Sequence, residues 1–265
     1  LEILEGFRSR DMGTVEVLGF DPSDRSTSLA LHQRIGVVLQ ELAVEPFLNV
    51  RQALERSAGY YPHPRPVDEV LRLVGLEDKA NVRIRKLSGG QQRRLDLGLG
   101  VIGDPDLLFL DEPTTGFDPN ARRAAWSLIR DLAHDGMTVL LTTHYMDEAD
   151  ALADRVAVIA NGTIVAVDQT SRLGGRLRDE VLIRFTPPPG LSESQLPVPG
   201  FTRNGDYLEI RSANAVADLA TLTAWAIEYE VPLAGLEALR RSLEDIYLEL
   251  TRGSSARDHS PEMTS

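Results

Sequence analysis

The sequence predicts an α/β protein built on a parallel sheet and followed by a small α+β appendage. The apolar run at residues 107–110 predicts a buried strand, a second strand is predicted at residues 138–143, and a helix is predicted between them at residues 119–134. This spacing of strand, helix and strand is that of a βαβ unit, in which both strands belong to one parallel sheet with a right-handed crossover. The apolar residues of the helix recur at i, i+3, i+4 and i+7 and share one face: Ala125, Leu128, Ile129 and Leu132.

The composition is that of a globular protein and excludes several classes of function. The 265 residues suffice for one large domain, or for a full domain and a smaller one. A net charge of −12 argues against general nucleic-acid binding, which needs a basic surface. The chain has no cysteine, which excludes disulfides and thiolate metal sites, and it has no apolar run of about eighteen residues that could span a bilayer.

The elements before the βαβ unit follow from apolar runs and chain breakers. The predictions are the end of a helix at residues 1–7, strands at 14–18 and 34–40, and helices at 49–58, 67–74 and 88–102. Two glycines, Gly98 and Gly100, lie inside the last of these helices, where each costs about 1 kcal/mol relative to alanine. Either a neighbouring backbone packs closely against them, or the helix is weakened.

The region after the βαβ unit changes in composition near residue 168. Before that point, the dipeptide Asn161-Gly162 between residues 156–160 and 163–167 predicts a hairpin with a two-residue turn. After it, the predictions are strands at 181–185 and 207–211, helices at 215–229 and 236–251, and a disordered tail at 252–265. The second of these helices is predicted because its apolar residues share one face.

A helix start at Ser88 carries the first motif that points to chemistry. Ser88 and Gln91 have the spacing of a capping box, and Gly89 and Gly90 let a ligand approach the backbone. The free N–H groups and the positive dipole end of a helix at this place favour an anion such as phosphate. The alternative is a plain helix cap, which is a common feature of loops.

The second motif is a pair of carboxylates, Asp111 and Glu112, at the end of the strand predicted at residues 107–110. Ligands of open α/β sheets bind at the carboxyl ends of the strands. Asp111 is suited to hold hydrated Mg²⁺, and Glu112 is placed to polarise a water for attack on a phosphate. The alternative is a strand that ends in solvated acidic residues.

These motifs resemble those of the ATPases of the ABC family. Residues 87–91, Leu-Ser-Gly-Gly-Gln, resemble the signature motif, and residues 107–113 resemble a Walker B motif with its catalytic glutamate. Residues 115–119 resemble the D-loop, with Phe117 where the family usually has leucine. Residues 142–144 resemble the H-loop, and Gln40 resembles the glutamine of the Q-loop. The motifs stand in the order of the family, and the resemblance covers about residues 1–167.

The resemblance implies a role for each motif residue in binding and hydrolysing ATP. Glu112 would be the base, His144 would contact the γ-phosphate, and Gln40 would reach Mg²⁺ and the attacking water. Asp111 would hold Mg²⁺. The remaining residues would bind nucleotide, and they are Ser88, Gly89, Gly90 and Gln91 of the signature and Asp118 of the D-loop.

The resemblance also implies the architecture and the partners. A P-loop NTPase-type sheet would occupy residues 1–167, with a helical subdomain at about 41–103, and an accessory α+β domain would follow at 168–251. Two copies would sandwich two ATP molecules, each facing the signature of the other copy. The dimer would drive an integral membrane subunit on a separate chain from the cytoplasmic face of the membrane, as a peripheral protein that binds no nucleic acid.

One expected motif is absent from the sequence. The Walker A pattern needs a glycine-rich loop that ends in lysine and serine or threonine, and the two lysines, Lys79 and Lys86, stand in no such loop. Residues 1–6 resemble the helix that follows this loop. We therefore expect an N-terminally truncated domain whose loop lies upstream, and which is poorly stable and inactive by itself.

Three functional alternatives follow from the sequence. Residues 145–149 and 243–250 are most similar to the ATPase subunits of bacterial exporters of the daunorubicin-resistance type, which favours a multidrug or antibiotic exporter. A soluble ABC-family ATPase is the second alternative, although such proteins usually carry a coiled coil or a second cassette. The third is a regulatory subunit with a lost site, against which the presence of Asp111, Glu112 and His144 argues.

Overall fold

The computed structural model describes residues 1–38, 45–173, 180–240 and 243–248. They form two compact units, Leu1–Tyr145 and Met146–Ser265. The predicted hairpin at 156–167 thus belongs to the second unit, whereas the sequence suggests a boundary near residue 168. The predicted disordered tail at 252–265 lies outside the described residues.

The first unit contains a three-stranded parallel sheet and five α-helices among the described residues. The strands are β1 (Ile35–Val38), β2 (Leu107–Asp111) and β3 (Thr138–Thr142), and the helices are α1 (Ser28–His32), α2 (Val50–Ala58), α3 (Val67–Leu73), α4 (Gly89–Val101) and α5 (Pro119–His134). The sheet order is β1-β2-β3, and both pairings are parallel. The βαβ prediction is therefore confirmed, with α5 as the crossover between β2 and β3.

Two predictions near the amino end are wrong. The predicted strand at residues 14–18 is only an isolated bridge between Val17 and Phe20, because positive φ angles at Leu18 and Gly19 turn the chain back on itself. The helix end predicted at residues 1–7 is a series of turns, in which Gly6 N–H bonds to the carbonyl of Ile3. Gly6 has a φ of 81°, which interrupts a right-handed helix.

The glycines of α4 mark a close contact between this helix and the sheet. A Cβ at Gly100 would lie 2.5 Å from Val38 Cγ2 of β1, and a Cβ at Gly36 would lie 2.1 Å from the carbonyl oxygen of Gly100. A methyl group fits in neither direction. Of the two readings that the sequence allows, close packing is the one found at Gly100.

The second unit contains a short helix, an antiparallel hairpin and a small α+β fold. These elements are α6 (Met146–Leu152), the hairpin strands β4 (Arg155–Ala160) and β5 (Thr163–Gln169), β6 (Val181–Thr186), β7 (Thr202–Asn204), β8 (Tyr207–Ser212), α7 (Ala215–Glu228), β9 (Ala234–Arg240) and α8 (residues 243–248). The predicted Asn161-Gly162 turn is confirmed, with φ angles of 51° and 74°. The last sheet has the order β7-β8-β6-β9.

The helix predicted at residues 236–251 is wrong over its first part. Residues 234–240 form β9, which pairs antiparallel with β6. The apolar pattern of this segment suits either structure, and the unsatisfied edge of β6 decides in favour of the strand, since tertiary context overrides weak helix propensity. Among the described residues of this segment, 243–248 are helical, with Leu243 and Ile246 buried.

No helix in the described part of the chain is long and apolar enough to cross a membrane.

Candidate functional site

The candidate site lies at the carboxyl end of β2, the central strand of the parallel sheet. Asp111 is the last residue of this strand and pairs in register with Thr142, the last residue of β3. The Thr142 hydroxyl donates a hydrogen bond to Asp111 Oδ1 at 2.5 Å. The backbone N–H of Glu112 lies 3.1 Å from the Thr142 carbonyl oxygen and 3.2 Å from its hydroxyl. Thr142 thus fixes both neighbouring acidic residues.

Glu112 adopts a backbone conformation that non-glycine residues rarely take. Its φ is 44°, in the left-handed region, and such conformations persist where the surroundings hold them. Its carboxylate accepts a hydrogen bond from the Thr115 hydroxyl at 3.1 Å, and its Oε1 lies 3.2 Å from His144 Nδ1. The Glu112 side chain is 29% exposed, so it is held in place and still open to solvent on one side.

His144 follows the neighbouring strand β3, which explains its proximity to Glu112. Parallel strands that are adjacent in a sheet end at the same edge, so residues after β2 and β3 meet there. The ring of His144 packs on the ring of Tyr145 at a centroid distance of 4.1 Å. The Arg122 guanidinium of α5 lies 4.3 Å from the centre of the Tyr145 ring.

Ser88 starts α4 with a complete capping box, as the sequence predicts. The Ser88 side chain accepts a hydrogen bond from the N–H of Gln91, and Gln91 Oε1 accepts one from the N–H of Ser88. Apart from the chain neighbours and the helix's own backbone, no heavy atom of the described residues lies within 4 Å of a Cβ built on Gly89, and the nearest to one on Gly90 is Ala121 Cβ at 3.9 Å. These glycines therefore leave the first turn of the helix accessible.

Asp118 starts α5 in a similar manner. Its carboxylate accepts hydrogen bonds from the N–H groups of Asn120 and Ala121, at 2.9 and 3.1 Å, and Pro119 occupies the first helical position. The positive φ of Gly116 turns the preceding loop. The aspartate is thus a helix cap in this structure, a role that the D-loop resemblance did not predict.

A cleft of about 1000 Å³ brings these motifs together. Its walls include the signature residues 88–91, Glu112 and the segment from Thr115 to Asp118. Of the remaining predicted site residues, Asp111 and His144 are joined to Glu112 through the contacts given above. Gln40 lies outside the described residues, so its predicted role stays a prediction.

The site contains residues that the sequence reasoning missed. Thr142 and Thr115 hold the two acidic residues, and buried Arg93 of α4 donates to backbone oxygens on either side of Glu112. The signal for Thr142 is its register opposite Asp111, which only the parallel pairing reveals. For Arg93, the i,i+3 spacing to Asp96 indicates a pair, but not the loop that it contacts.

Asp111 is the residue best suited to hold a divalent cation. It is partly exposed at the end of β2, and its Oδ1 accepts the Thr142 hydroxyl. In the described residues, no three His, Asp or Glu side chains cluster as a metal cage. A single carboxylate is nevertheless the kind of ligand that suits Mg²⁺, which keeps several waters and binds the phosphates of a nucleotide.

Comparison with known families and proteins gives a consistent result. The family model described as ABC transporter matches residues 1–115. A second model, described as the C-terminal domain of ABC transporter domain-containing protein-like proteins, matches residues 181–242. A daunorubicin resistance ATP-binding protein of Streptomyces coeruleorubidus is 35% identical over 95% of this chain and 82% of its own length. A linearmycin resistance ATP-binding protein of Bacillus subtilis is 30% identical over 97% of this chain and 86% of its own length.

A solved structure agrees with the fold. An ATP-binding cassette in a dimeric, post-hydrolysis state bound to ADP and Pi covers 64% of this chain and 78% of its own, with a TM-score of 0.56 and 22% identity. The predicted α/β class is therefore confirmed.

Proposed function

This chain belongs to the family of ABC transporter ATP-binding subunits, and on this premise we propose how its residues bind and hydrolyse ATP. It is an ATP-driven motor subunit of an exporter and an ATP hydrolase of the ABC type. The proposal concerns the roles of the individual residues, the cation and the partner chains.

The observation that carries the residue roles is the position of the Glu112 carboxylate. It lies at the carboxyl end of the central strand, 3.2 Å from His144 Nδ1, and is oriented by the Thr115 hydroxyl. A carboxylate held in this way can accept a proton from a water that attacks the γ-phosphate. His144 is exposed on the same edge of the sheet, where its ring can contact that phosphate. We assign Glu112 as the base and His144 as its phosphate-facing partner.

Asp111 is proposed as the protein ligand of Mg²⁺, and Gln40 as a second group near the ion. When bound, the ion would supply positive charge that offsets the negative charge of the ATP phosphates. The protein's own contribution is to orient the Asp111 carboxylate. The Thr142 hydroxyl does this by donating a hydrogen bond to Asp111 Oδ1.

We propose a dimer in which the signature acts on the nucleotide of the other copy. The open glycines at the start of α4 let a phosphate approach the N–H groups of Gly89 and Gly90, while Ser88 and Gln91 hold this turn in place through the capping box. Asp118 would adjoin the same nucleotide. The dimeric state of the solved ATP-binding cassette supports this arrangement. A separate integral membrane subunit and a position at the cytoplasmic face of the membrane complete the proposal, by analogy with the relatives.

The experiment is the substitution Glu112→Gln in the full-length protein. It removes the base and keeps the size of the side chain, so ATP should still bind while hydrolysis falls by at least about 100-fold. Phosphate release measures hydrolysis, and a fluorescent ATP analogue measures binding. Glu77→Gln, the same change at an exposed position, should retain full activity. If Glu112→Gln turned over ATP at the rate of the unmodified protein, the assignment of the base would be refuted.

A further inference from the structure

Arg93 lies in the first half of α4 and is buried together with Asp96 of the same helix. The Arg93 side chain is 9% exposed and that of Asp96 is 12% exposed, with Nη1 and Oδ2 2.7 Å apart. A buried charge is costly unless it is paired and hydrogen-bonded. Asp96 provides the paired charge, which leaves the other nitrogens of the guanidinium available for contacts elsewhere.

Those nitrogens reach the turn that carries Glu112. Arg93 Nε donates to the carbonyl oxygen of Pro113 at 3.0 Å, and Nη2 donates to the carbonyl oxygen of Asp111 at 3.3 Å. The two oxygens belong to the residues directly before and after Glu112. One rigid guanidinium therefore spans the backbone on both sides of the proposed base.

The backbone of Glu112 needs such support because its φ of 44° is unfavourable for a residue with a side chain. Its N–H is bonded to Thr142, and its carbonyl oxygen accepts the N–H of Thr115 at 3.2 Å. Arg93 adds the two flanking carbonyl groups. The backbone around Glu112 is thus held by three elements: β3 bonds its N–H, the following turn bonds its carbonyl oxygen, and α4 bonds the two flanking carbonyl groups.

We propose that Arg93, held by Asp96, is a positioning residue that keeps the turn at Glu112 in its hydrolysis-competent conformation. The inference rests on the proposed role of Glu112. Arg93 touches no reacting group in this account and acts through the backbone. Since α4 also begins with the signature, the contact links the signature helix of one copy to the base of the same copy.

The test compares Arg93→Lys, Asp96→Asn and Arg130→Lys in the full-length protein. Lysine keeps the charge but donates from a single nitrogen, so it cannot reach all three acceptors of the guanidinium, and kcat should fall by about 10- to 100-fold while KM for ATP changes by less than about 3-fold. Asp96→Asn removes the charge that orients Arg93 and should lower kcat in the same way, but by less. Arg130, exposed on α5, receives the same change as a matched control and should show no effect.

A second measurement separates positioning from a general loss of structure. Single-turnover hydrolysis with protein in excess gives the residual rate of Glu112→Gln, and Arg93→Lys is then added in that background. If Arg93 acts through Glu112, the second change has little further effect. Full multiplicative loss in the double variant would overturn the inference, as would wild-type kcat in both Arg93→Lys and Asp96→Asn. Wild-type turnover of Glu112→Gln alone would instead contradict the proposed function.

Discussion

The contact between α4 and β1 leads to a prediction on stability for the substitution Gly100→Ala. In an open helix this change would stabilise by about 1 kcal/mol, because alanine has the better helix propensity. In this structure the added Cβ would lie 2.5 Å from Val38 Cγ2 and 3.2 Å from Leu108 Cδ1. Ordinary carbon–carbon contacts are about 3.5–4.0 Å, so the first contact is short by roughly 1 Å or more.

The surroundings of Gly100 give little room for relief. Val38 is 1% exposed and β-branched, and Leu108 is fully buried in the central strand. Overpacking of this kind costs about 1–3 kcal/mol, which exceeds the gain in helix propensity. We therefore expect Gly100→Ala to lower the free energy of unfolding by up to about 2 kcal/mol.

Two other glycines calibrate this prediction. At Gly98, the nearest atom to an added Cβ is Val70 Cγ1 at 3.2 Å, so the helix gain and a slight repacking should nearly cancel. At Gly36, the Cβ would lie 2.1 Å from a backbone oxygen, and a strand offers no helix gain. The expected order of destabilisation is Gly36→Ala, then Gly100→Ala, then Gly98→Ala.

The assay is urea unfolding followed by fluorescence in a Trp225→Phe background, so that Trp126 of α5 reports on the first unit. The midpoints give the change in stability if the slope with denaturant stays constant among the variants. A Gly100→Ala protein as stable as the parent, or more stable than Gly98→Ala, would refute the argument from close packing.

Two further predictions concern the dimer and the buried pair. Ser88→Arg and Glu112→Gln chains should each be inactive alone, but their mixture should hydrolyse ATP, because a mixed dimer then contains one site with both an intact signature and an intact base; no recovery on mixing would count against action in trans. Burial raises the pKa of Asp96 from 3.8 to about 6, while Arg93 opposes the rise. Between these two pH values Asp96 is deprotonated in the unfolded chain but still protonated in the folded chain. The free energy of unfolding therefore falls as pH rises from about 4 to 6. Urea unfolding should show this loss in the parent relative to Asp96→Asn, and equal pH profiles would contradict it.

The elements that sequence reasoning predicted well are those with strong local signals. Helix α5 is found at the predicted residues 119–134, where a capping aspartate and a proline at the first helical position reinforce the apolar face that predicts it. The turn at Asn161-Gly162 is found because both residues tolerate a positive φ. In contrast, residues 236–240 have an ambiguous pattern, and only the pairing partner β6 determines that they form a strand.

The site shows the same division between local and tertiary information. The capping box at Ser88 and the acidic pair at the end of β2 are readable in the sequence, because each depends on neighbouring residues. The family resemblance gave His144 and Glu112 roles at the same phosphate, and the structure adds that His144 Nδ1 lies 3.2 Å from Glu112 Oε1. The contacts of Arg93 join residues 18 and 20 positions apart, and no periodicity predicts them.

The close contact of α4 at Gly100 and the contact of Arg93 with the turn at Glu112 are connected by simple helix geometry. Gly100 and Arg93 are seven residues apart, close to two helical turns, so they share a face and are separated by about 10.5 Å along the helix. Their partners in β2, Leu108 and Asp111, are three residues apart, or about 10 Å along a strand. The helix and the strand therefore run side by side with matched spacing. Because the absence of a side chain at Gly100 sets how near the helix lies to the sheet, it also sets the reach of Arg93 to the turn at Glu112. If this coupling holds, Gly100→Ala should lower ATP hydrolysis while nucleotide binding stays unchanged. A purely local clash would lower stability alone.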